Sequence, residues 1–420
     1  MVVNSLNRTT LNHVAVSFAA LALSAFAFIF QMWAVEDFPP HPYYDEVYTV
    51  SSAQMGFDDP TKLENSHPPL APYVIKLAIL AWGDEPSTWR IPSRIFGALT
   101  IMLVVLISNS ITGRVLPSIL AAVLLLTDGI FITTTRAALY ESQFIFFSFA
   151  ALAAAIFASV RYTRPRLQIA GFNLCGVLLG LALATKWSAA LFAPCIFYLL
   201  VTALPLRMAC ITALMIFTLA AFTYTGVCCT LTAQSVPQLF SGNLELLQTH
   251  LHPALHHRYE SSGWSWPLLL RPIWFGIEPT GTTARGTICI GNPVVFLVVL
   301  VVIPLLSARG VRRLFLQGNI TLTATLLPVV GFFANWLPWC MLSERRGFIY
   351  YYLPSLIFGC MAYATAISLV PAKNRWITWI LLVVPTLTSV AVCVLYLPLY
   401  LGLEVPFEWM LTLLPFEAWW

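Results

Sequence analysis

Two carboxylates stand side by side at Asp45 and Glu46, in Tyr43-Tyr44-Asp45-Glu46-Val47-Tyr48, a few residues beyond an apolar stretch at 14–34. A positioned carboxylate takes the proton from a hydroxyl as that hydroxyl attacks. The flanking aromatic residues, set against a bilayer edge, lower the dielectric around it. Adjacency lets one side chain face a substrate while the other supports it from behind. Two solvated loop acids are the ordinary alternative. The stretch closes with His67-Pro68-Pro69-Leu70, where each proline locks φ and restricts the residue before it, so the chain direction is set.

Other charges also lie beside apolar runs. Arg136 and Glu141 separate two such runs in Thr135-Arg136-Ala137-Ala138-Leu139-Tyr140-Glu141; as a surface ion pair they would contribute little. Asp128 falls within an apolar run, where an ionised group costs about 2.5–3.5 kcal/mol on insertion scales, so it is expected to turn away from lipid. Lys186, in Ala184-Thr185-Lys186-Trp187-Ser188, either snorkels from a helix end or meets an anion, and a lipid phosphate suits its point charge. Arg345 and Arg346 suggest an anionic ligand, with Glu344 competing for one of them. His250, His252, His256 and His257 cluster, but their spacing matches no zinc pattern, so neither a metal nor another cofactor is predicted. The aromatic residues that follow, Tyr259 to Trp266, suit a sugar-stacking or a peptide-binding surface equally.

These residues need a frame. Of 420 residues, 59% are hydrophobic and 10% charged, and the mean hydropathy is +0.80; a soluble chain carries about 25% charged residues. An all-α polytopic membrane protein is therefore predicted, one integral domain over 1–420 with no polar block large enough to fold apart. The nine cysteines lie in or beside apolar segments and read as small hydrophobes. No basic run suits nucleic acid.

Eleven spans are predicted, at 14–34, 92–111, 115–134, 142–160, 168–185, 188–204, 208–231, 288–306, 319–340, 348–369 and 376–399. The first is as long as a spanning helix and is followed by no small-x-small cleavage site, so it reads as an uncleaved helix. With the N-terminus cytoplasmic, the cytoplasmic side carries 11 of the 22 Lys and Arg and none of the 18 Asp and Glu, the positive-inside signature. The C-terminus is then extracytoplasmic, with larger outer loops near 35–91 and 232–287.

In order along the chain, Asp45-Glu46 with His67-Pro68-Pro69-Leu70, Trp89-Arg90-Ile91-Pro92-Ser93-Arg94, Arg136-Ala137-Ala138-Leu139-Tyr140-Glu141, Ala184-Thr185-Lys186-Trp187-Ser188, His257-Arg258-Tyr259-Glu260-Ser261, Trp264-Ser265-Trp266-Pro267, Gly291-Asn292-Pro293 and Arg346-Gly347-Phe348-Ile349-Tyr350-Tyr351-Tyr352 resemble the protein O-mannosyltransferase family. That family lies within the GT-C class of membrane glycosyltransferases. The second outer loop, roughly 55 residues at 232–287, has no room for the β-trefoil of eukaryotic members, so the chain looks like a compact bacterial form. Glu141 stands where the family often has Asp.

The resemblance implies an inverting transfer of mannose from a polyprenyl-phosphate carrier to Ser or Thr hydroxyls of a protein, at the outer face of a bacterial plasma membrane. It implies Asp45 as base and Glu46 as the residue that orients the loop or acceptor. Lys186 is the first choice for the leaving phosphate, with Arg136 and Arg345 behind it. His67, Arg90, Glu141, His257, Glu260 and Arg271 become supporting or acceptor-side positions. The carrier tail would lie between spans in contact with membrane lipid. Three rivals stand beside this: the same chemistry on a lipid or polysaccharide acceptor, a transporter of a lipid-linked substrate, and an inactive partner subunit. A transporter is expected to show internal repeats and midplane charges; the sequence shows no repeat, and its unusual charges gather at one face.

Overall fold

The computed structural model describes residues 2–33, 39–55, 66–161, 164–251, 257–317, 324–342 and 347–414. Long apolar runs form long helices, some with an interior proline (Pro92, Pro304, Pro385 and Pro398): α1 (Val2–Met32), α4 (Pro86–Thr112), α7 (Glu141–Ile156), α8 (Pro165–Thr185), α10 (Leu206–Thr232), α12 (Pro293–Gln317) and α15 (Arg375–Leu401). Seven described helices are long and apolar enough to cross a membrane. An eighth results if α5 (Val115–Leu126) and α6 (Gly129–Arg136), bent by 66° at their junction, form one span. The remaining predicted spans also fall on helices, but on shorter ones. The 188–204 segment is a 3₁₀ turn (Trp187–Phe192) running into α9 (Ala193–Ala203), the 319–340 segment contributes α13 (Leu327–Met341), and the 348–369 segment contributes α14 (Leu353–Ser368).

α14 is buried over nearly its whole length and packs on α13, α12, α5 and α4, so it forms the centre of the bundle. α4 also contacts α1 and α7, and α8 lies between α7 and α10. The described parts of the loop segments contain helices and strands. The first holds α2 (Glu46–Met55) and α3 (Leu70–Trp82). The second holds α11 (Val236–Leu251) and a hairpin of β1 (Ile273–Thr280) and β2 (Thr283–Cys289), joined at Gly281 with φ 63°. β3 (Glu404–Pro406), which follows α15 and precedes α16 (Phe407–Leu413), pairs antiparallel with β2. This small sheet adds to the helical class predicted from composition. Its strands are too short and too irregular, with a register shift between Trp274 and Gly276, to stand out by period.

The α5–α6 break has a cause in the sequence. Asp128 is fully buried and caps α6, its Oδ1 accepting from Ile130 N at 2.9 Å and Phe131 N at 3.2 Å. Its Oδ2 accepts from Asn292 N at 2.8 Å, and Asn292 Nδ2 donates to Thr127 O at 3.0 Å and Ser389 O at 2.8 Å. The carboxylate thus faces backbone amides rather than lipid. Gly129 is required beside it, because a Cβ there would overlap Tyr400 and the Ile290 carbonyl. Asn292→Ala leaves the buried Thr127 carbonyl without its donor and removes the second donor to the Ser389 carbonyl of α15, a cost on the order of 1–3 kcal/mol. We expect a melting temperature several degrees below wild type in detergent; an unchanged melting curve would mean that the break is held by other contacts.

Candidate active site

Glu46 opens α2 with its side chain completely buried. Its Oε1 accepts from Arg90 Nε at 2.9 Å and Ala138 N at 2.6 Å, and its Oε2 accepts from Arg90 Nη2 at 2.8 Å. The bidentate arrangement matches the planar fork of a guanidinium. One carboxylate therefore ties the first loop to α4 and to the Ala137–Tyr140 link between α6 and α7. Thr49 adds a second tie, its hydroxyl donating to Ala138 O at 2.5 Å.

Asp45 is aimed differently because of Tyr44. Tyr44 has φ 52°, in the left-handed region that a bulky residue rarely adopts. Its ring stacks on Phe275 of β1 at 4.9 Å and meets His257, Phe348 and Tyr350 edge-on. This aromatic packing holds the unfavourable backbone in place. Asp45 then reaches Tyr350, whose hydroxyl donates to Oδ2 at 2.8 Å. Burial, with the Asp45 carboxylate beside it, pushes the Tyr44 phenol well above the usual tyrosine range, so it stays protonated at neutral pH.

Lys186 ends α8 and is 4% exposed. Its Nζ donates to Glu141 Oε1 at 2.5 Å and lies over the Tyr351 ring at 4.2 Å and the Tyr350 ring at 5.7 Å. Burial is the largest influence and works against its charge, but the Glu141 carboxylate and its hydrogen bond, together with Tyr351 and Asp45, outweigh it, and the net shift is upward. An ammonium carries three N–H groups, so pairing with Glu141 leaves donor capacity for an anion. Two cavities meet at this residue. A narrow one of about 10 Å³, room for roughly one water, is lined by Glu141, Lys186, Asn335, Trp339, Tyr350 and Tyr351, among others. A wider cleft of about 150 Å³ runs from Lys186 past His67, His250, Leu247 and Trp339.

The remaining sequence candidates divide. Arg90 is held by Glu46. Arg136 is buried, its Nη1 donating to Gln31 O at 2.5 Å and Trp33 O at 3.4 Å, so it caps the C-terminal end of α1. His67 packs on Tyr140 at 4.5 Å and faces the wider cleft. His257 lies against Tyr44 and Phe348, and its backbone N donates to Glu260 Oε2 at 3.0 Å. Arg271 Nη2 donates to Arg258 O at 2.8 Å and steadies the same turn. Arg345, with Glu344 and Arg346, lies outside the described residues, as do His252 and His256. Among the described residues no group of three His, Cys, Asp or Glu converges as a metal site would require.

Two contributors escaped the sequence reading. Tyr350 was legible only as part of an aromatic run, and Asn335 carried one signal, the lone amide in an otherwise apolar helix. The two adjacent acids should separate on substitution. Glu46→Gln leaves the Arg90 charge buried without its partner, a loss of about 3–5 kcal/mol, and the melting temperature should fall accordingly. Asp45→Asn should melt close to wild type. Similar melting of the two variants would contradict this division.

The chain is similar to known proteins in sequence and in fold. The dolichyl-phosphate-mannose-protein mannosyltransferase family matches residues 86–232, and the C-terminal four TMM region of protein-O-mannosyltransferase matches residues 236–419. Polyprenol-phosphate-mannose–protein mannosyltransferase of Mycobacterium tuberculosis strain H37Rv is 25% identical over 367 aligned residues, covering 70% of this chain and 68% of that protein. The Corynebacterium glutamicum protein of the same name is 25% identical over 436 aligned residues, covering 84% and 81%. Among solved structures, the S. cerevisiae Pmt1–Pmt2 complex bound to the sugar donor superposes with a TM-score of 0.82 at 12% identity, covering 96% of this chain and 92% of that one. ArnT from Cupriavidus metallidurans, bound to undecaprenyl phosphate, gives 0.57 at 14% identity, covering 90% and 63%. At such identities the two structures speak for the fold alone. The two family matches adjoin and run from α4 to the end of the chain, and with them the chain belongs to the protein O-mannosyltransferase family.

Proposed function

We propose that the protein transfers mannose from a polyprenyl-phosphate carrier to Ser or Thr hydroxyls of proteins, with inversion, at the extracytoplasmic face of a bacterial plasma membrane. The observation that carries the reading is that Asp45 and Lys186 meet the same tyrosine, Tyr350. Asp45 accepts from the Tyr350 hydroxyl, and Lys186 lies against the rings of Tyr350 and Tyr351. A carboxylate and an ammonium are thereby joined through one rigid unit, as a displacement with a base at one end and a phosphate at the other requires.

In the reaction, the acceptor oxygen forms a bond to the anomeric carbon while the bond from that carbon to the phosphate oxygen breaks. The hydroxyl proton passes to Asp45. The phosphate leaves on its polyprenyl chain with its charge met by Lys186, so no proton is needed there. Glu46 fixes the loop that presents Asp45. Arg136, by closing the end of α1, supports that frame from behind. The wider cleft, between α11 and α13 and bordered by Leu247, Pro338, Trp339 and Leu342, offers apolar surface to the carrier. The distribution of Lys and Arg supports a cytoplasmic N-terminus and an extracytoplasmic C-terminus.

Radiolabelled polyprenyl-phosphate mannose and a Ser/Thr-rich peptide, mixed with purified protein in nanodiscs, test the reading. Label should move to the peptide with wild type and fall about 10²–10⁴-fold with folded Asp45→Asn, the range of a general base. Label moving instead to a lipid or glycan acceptor would transfer the protein to the rival substrate class. The paired variant Lys186→Met with Glu141→Gln leaves no lone buried charge. It should bind polyprenyl phosphate about 10–100-fold more weakly, the worth of a hydrogen bond to a charged group. Unchanged binding would remove Lys186 from the phosphate site.

A further inference from the structure

α11 is too short to span a bilayer, and its 16 residues divide into three faces. Leu239, Asn243, Leu246 and His250 fall on one side, buried or half-buried. Asn243 Oδ1 accepts from the Tyr224 hydroxyl at 2.8 Å, and that hydroxyl accepts from Trp187 Nε1 at 3.2 Å. His250 Nε2 donates to Ser66 O at 2.9 Å. Leu239 packs with Ala184 of α8 and Cys228 of α10. These contacts seat α11 against the ends of α8 and α10, at the level of Lys186. Val236, Phe240, Leu244 and Leu247 recur at helical spacing about a quarter-turn away. They are 60%, 66%, 48% and 44% exposed. Glu245 and Thr249 face roughly opposite this apolar stripe and are exposed as well.

Four large apolar side chains in a row are a poor face to show to water. Their position in the chain says what covers them. α10 is long and apolar enough to cross a membrane, and Leu214 and Phe222 are exposed along it. Ala233, with φ 54°, ends α10 and turns the chain. α11 starts at Val236, so even a fully extended link keeps Val236 within about 14 Å of Thr232. The stripe therefore begins at the rim of the apolar surface that α10 gives to lipid. α11 carries no Lys or Arg, so apolar burial rather than attraction to anionic headgroups must hold it there. We propose that α11 is an interfacial helix whose Val236–Leu247 stripe lies among the acyl chains of the leaflet beside Lys186. Leu247 belongs both to the stripe and to the wall of the wider cleft, so the cleft opens toward that leaflet. The contact holds whichever sugar and acceptor the site uses.

Photo-crosslinking reads the contact directly. The photoreactive residue p-benzoylphenylalanine replaces Phe240, Leu244, Leu247, Glu245 or Thr249 in the full chain, one site per variant. Each protein is irradiated in nanodiscs of phosphatidylethanolamine and phosphatidylglycerol. Every one of these positions is exposed, so the variants should melt close to wild type. Phospholipid adducts, found by mass spectrometry, should form at Phe240, Leu244 and Leu247 and be lost at Glu245 and Thr249. Replacing phosphatidylglycerol with neutral phosphatidylcholine should leave this pattern unchanged. Adducts to a second copy of the chain at Phe240 and Leu244, no adduct there in a protein that melts like wild type, or equal lipid adducts at Glu245 would each overturn the proposal. Adducts that vanish in the neutral bilayer would overturn its apolar basis. Lipid at Phe240 and Leu244 without lipid at Leu247 would overturn the opening of the cleft. Should one variant fail to fold, the other stripe positions carry the same test. None of these readouts uses transfer, so a failed mannosyl assay and a failed adduct pattern are told apart.

Discussion

A carboxylate sealed from water must find its compensation inside the protein, and Glu46 finds it in Arg90 and the Ala138 amide. Everything that presents Asp45 hangs from this contact. Three segments far apart in the chain converge on one pair of oxygens: the first loop, the start of α4 and the link between α6 and α7. A buried ion pair is a weak source of net stability, but removing one partner is severe. The pair therefore acts chiefly as a register pin. It permits one seating of the loop on the bundle, and in that seating the neighbouring residue points at Tyr350.

The pin alone does not aim Asp45. The left-handed conformation of Tyr44 turns the chain immediately before the two acids, and a set of rings from β1, the second loop and the Phe348–Tyr351 stretch keeps it there. The second loop is itself anchored on α13: Trp336 Nε1 donates to Gly263 O at 2.8 Å, and Ser261 N donates to Gly347 O at 2.8 Å. A Cβ at Gly263 would press on the Trp339–Cys340 backbone. The aromatic richness of these loops thus has a mechanical use. Rings supply large contact area with few rotatable bonds, and a rigid wall is what holds a charged pair at working distance.

At the other end of the same wall, Lys186 and Glu141 form a second buried pair, but one with spare donors facing a cavity. The two pairs differ in what remains after pairing. Glu46 and Arg90 saturate one another and the surrounding backbone. Lys186 keeps N–H groups beyond the one given to Glu141, and it borders both the narrow cavity and the wider cleft. Saturation marks a fastening, and residual capacity beside open space marks a place for a ligand.

Much of this was legible in the sequence. Apolar runs of spanning length require a membrane bundle, because backbone polar groups in lipid must be satisfied within helices. The ordered motif series pointed to the family, and Asp45, Glu46 and Lys186, singled out in the sequence, border one aromatic cluster in the fold. Asp128 was rightly expected to avoid lipid, since an ionised group there is too costly. Other features depended on long-range contact. Arg136 and Lys186 look alike in sequence, each a cation at the edge of an apolar run; only the packed bundle puts one on the carbonyls of α1 and the other beside a cavity. The break at Asp128 needs Asn292, far along the chain, to supply the amide. Which of Asp45 and Glu46 faces inward was not written locally either. Neighbouring residues in a loop point in directions set by φ at Tyr44 and by the partners waiting there, and those partners, Arg90 and Tyr350, are brought together only when the bundle closes.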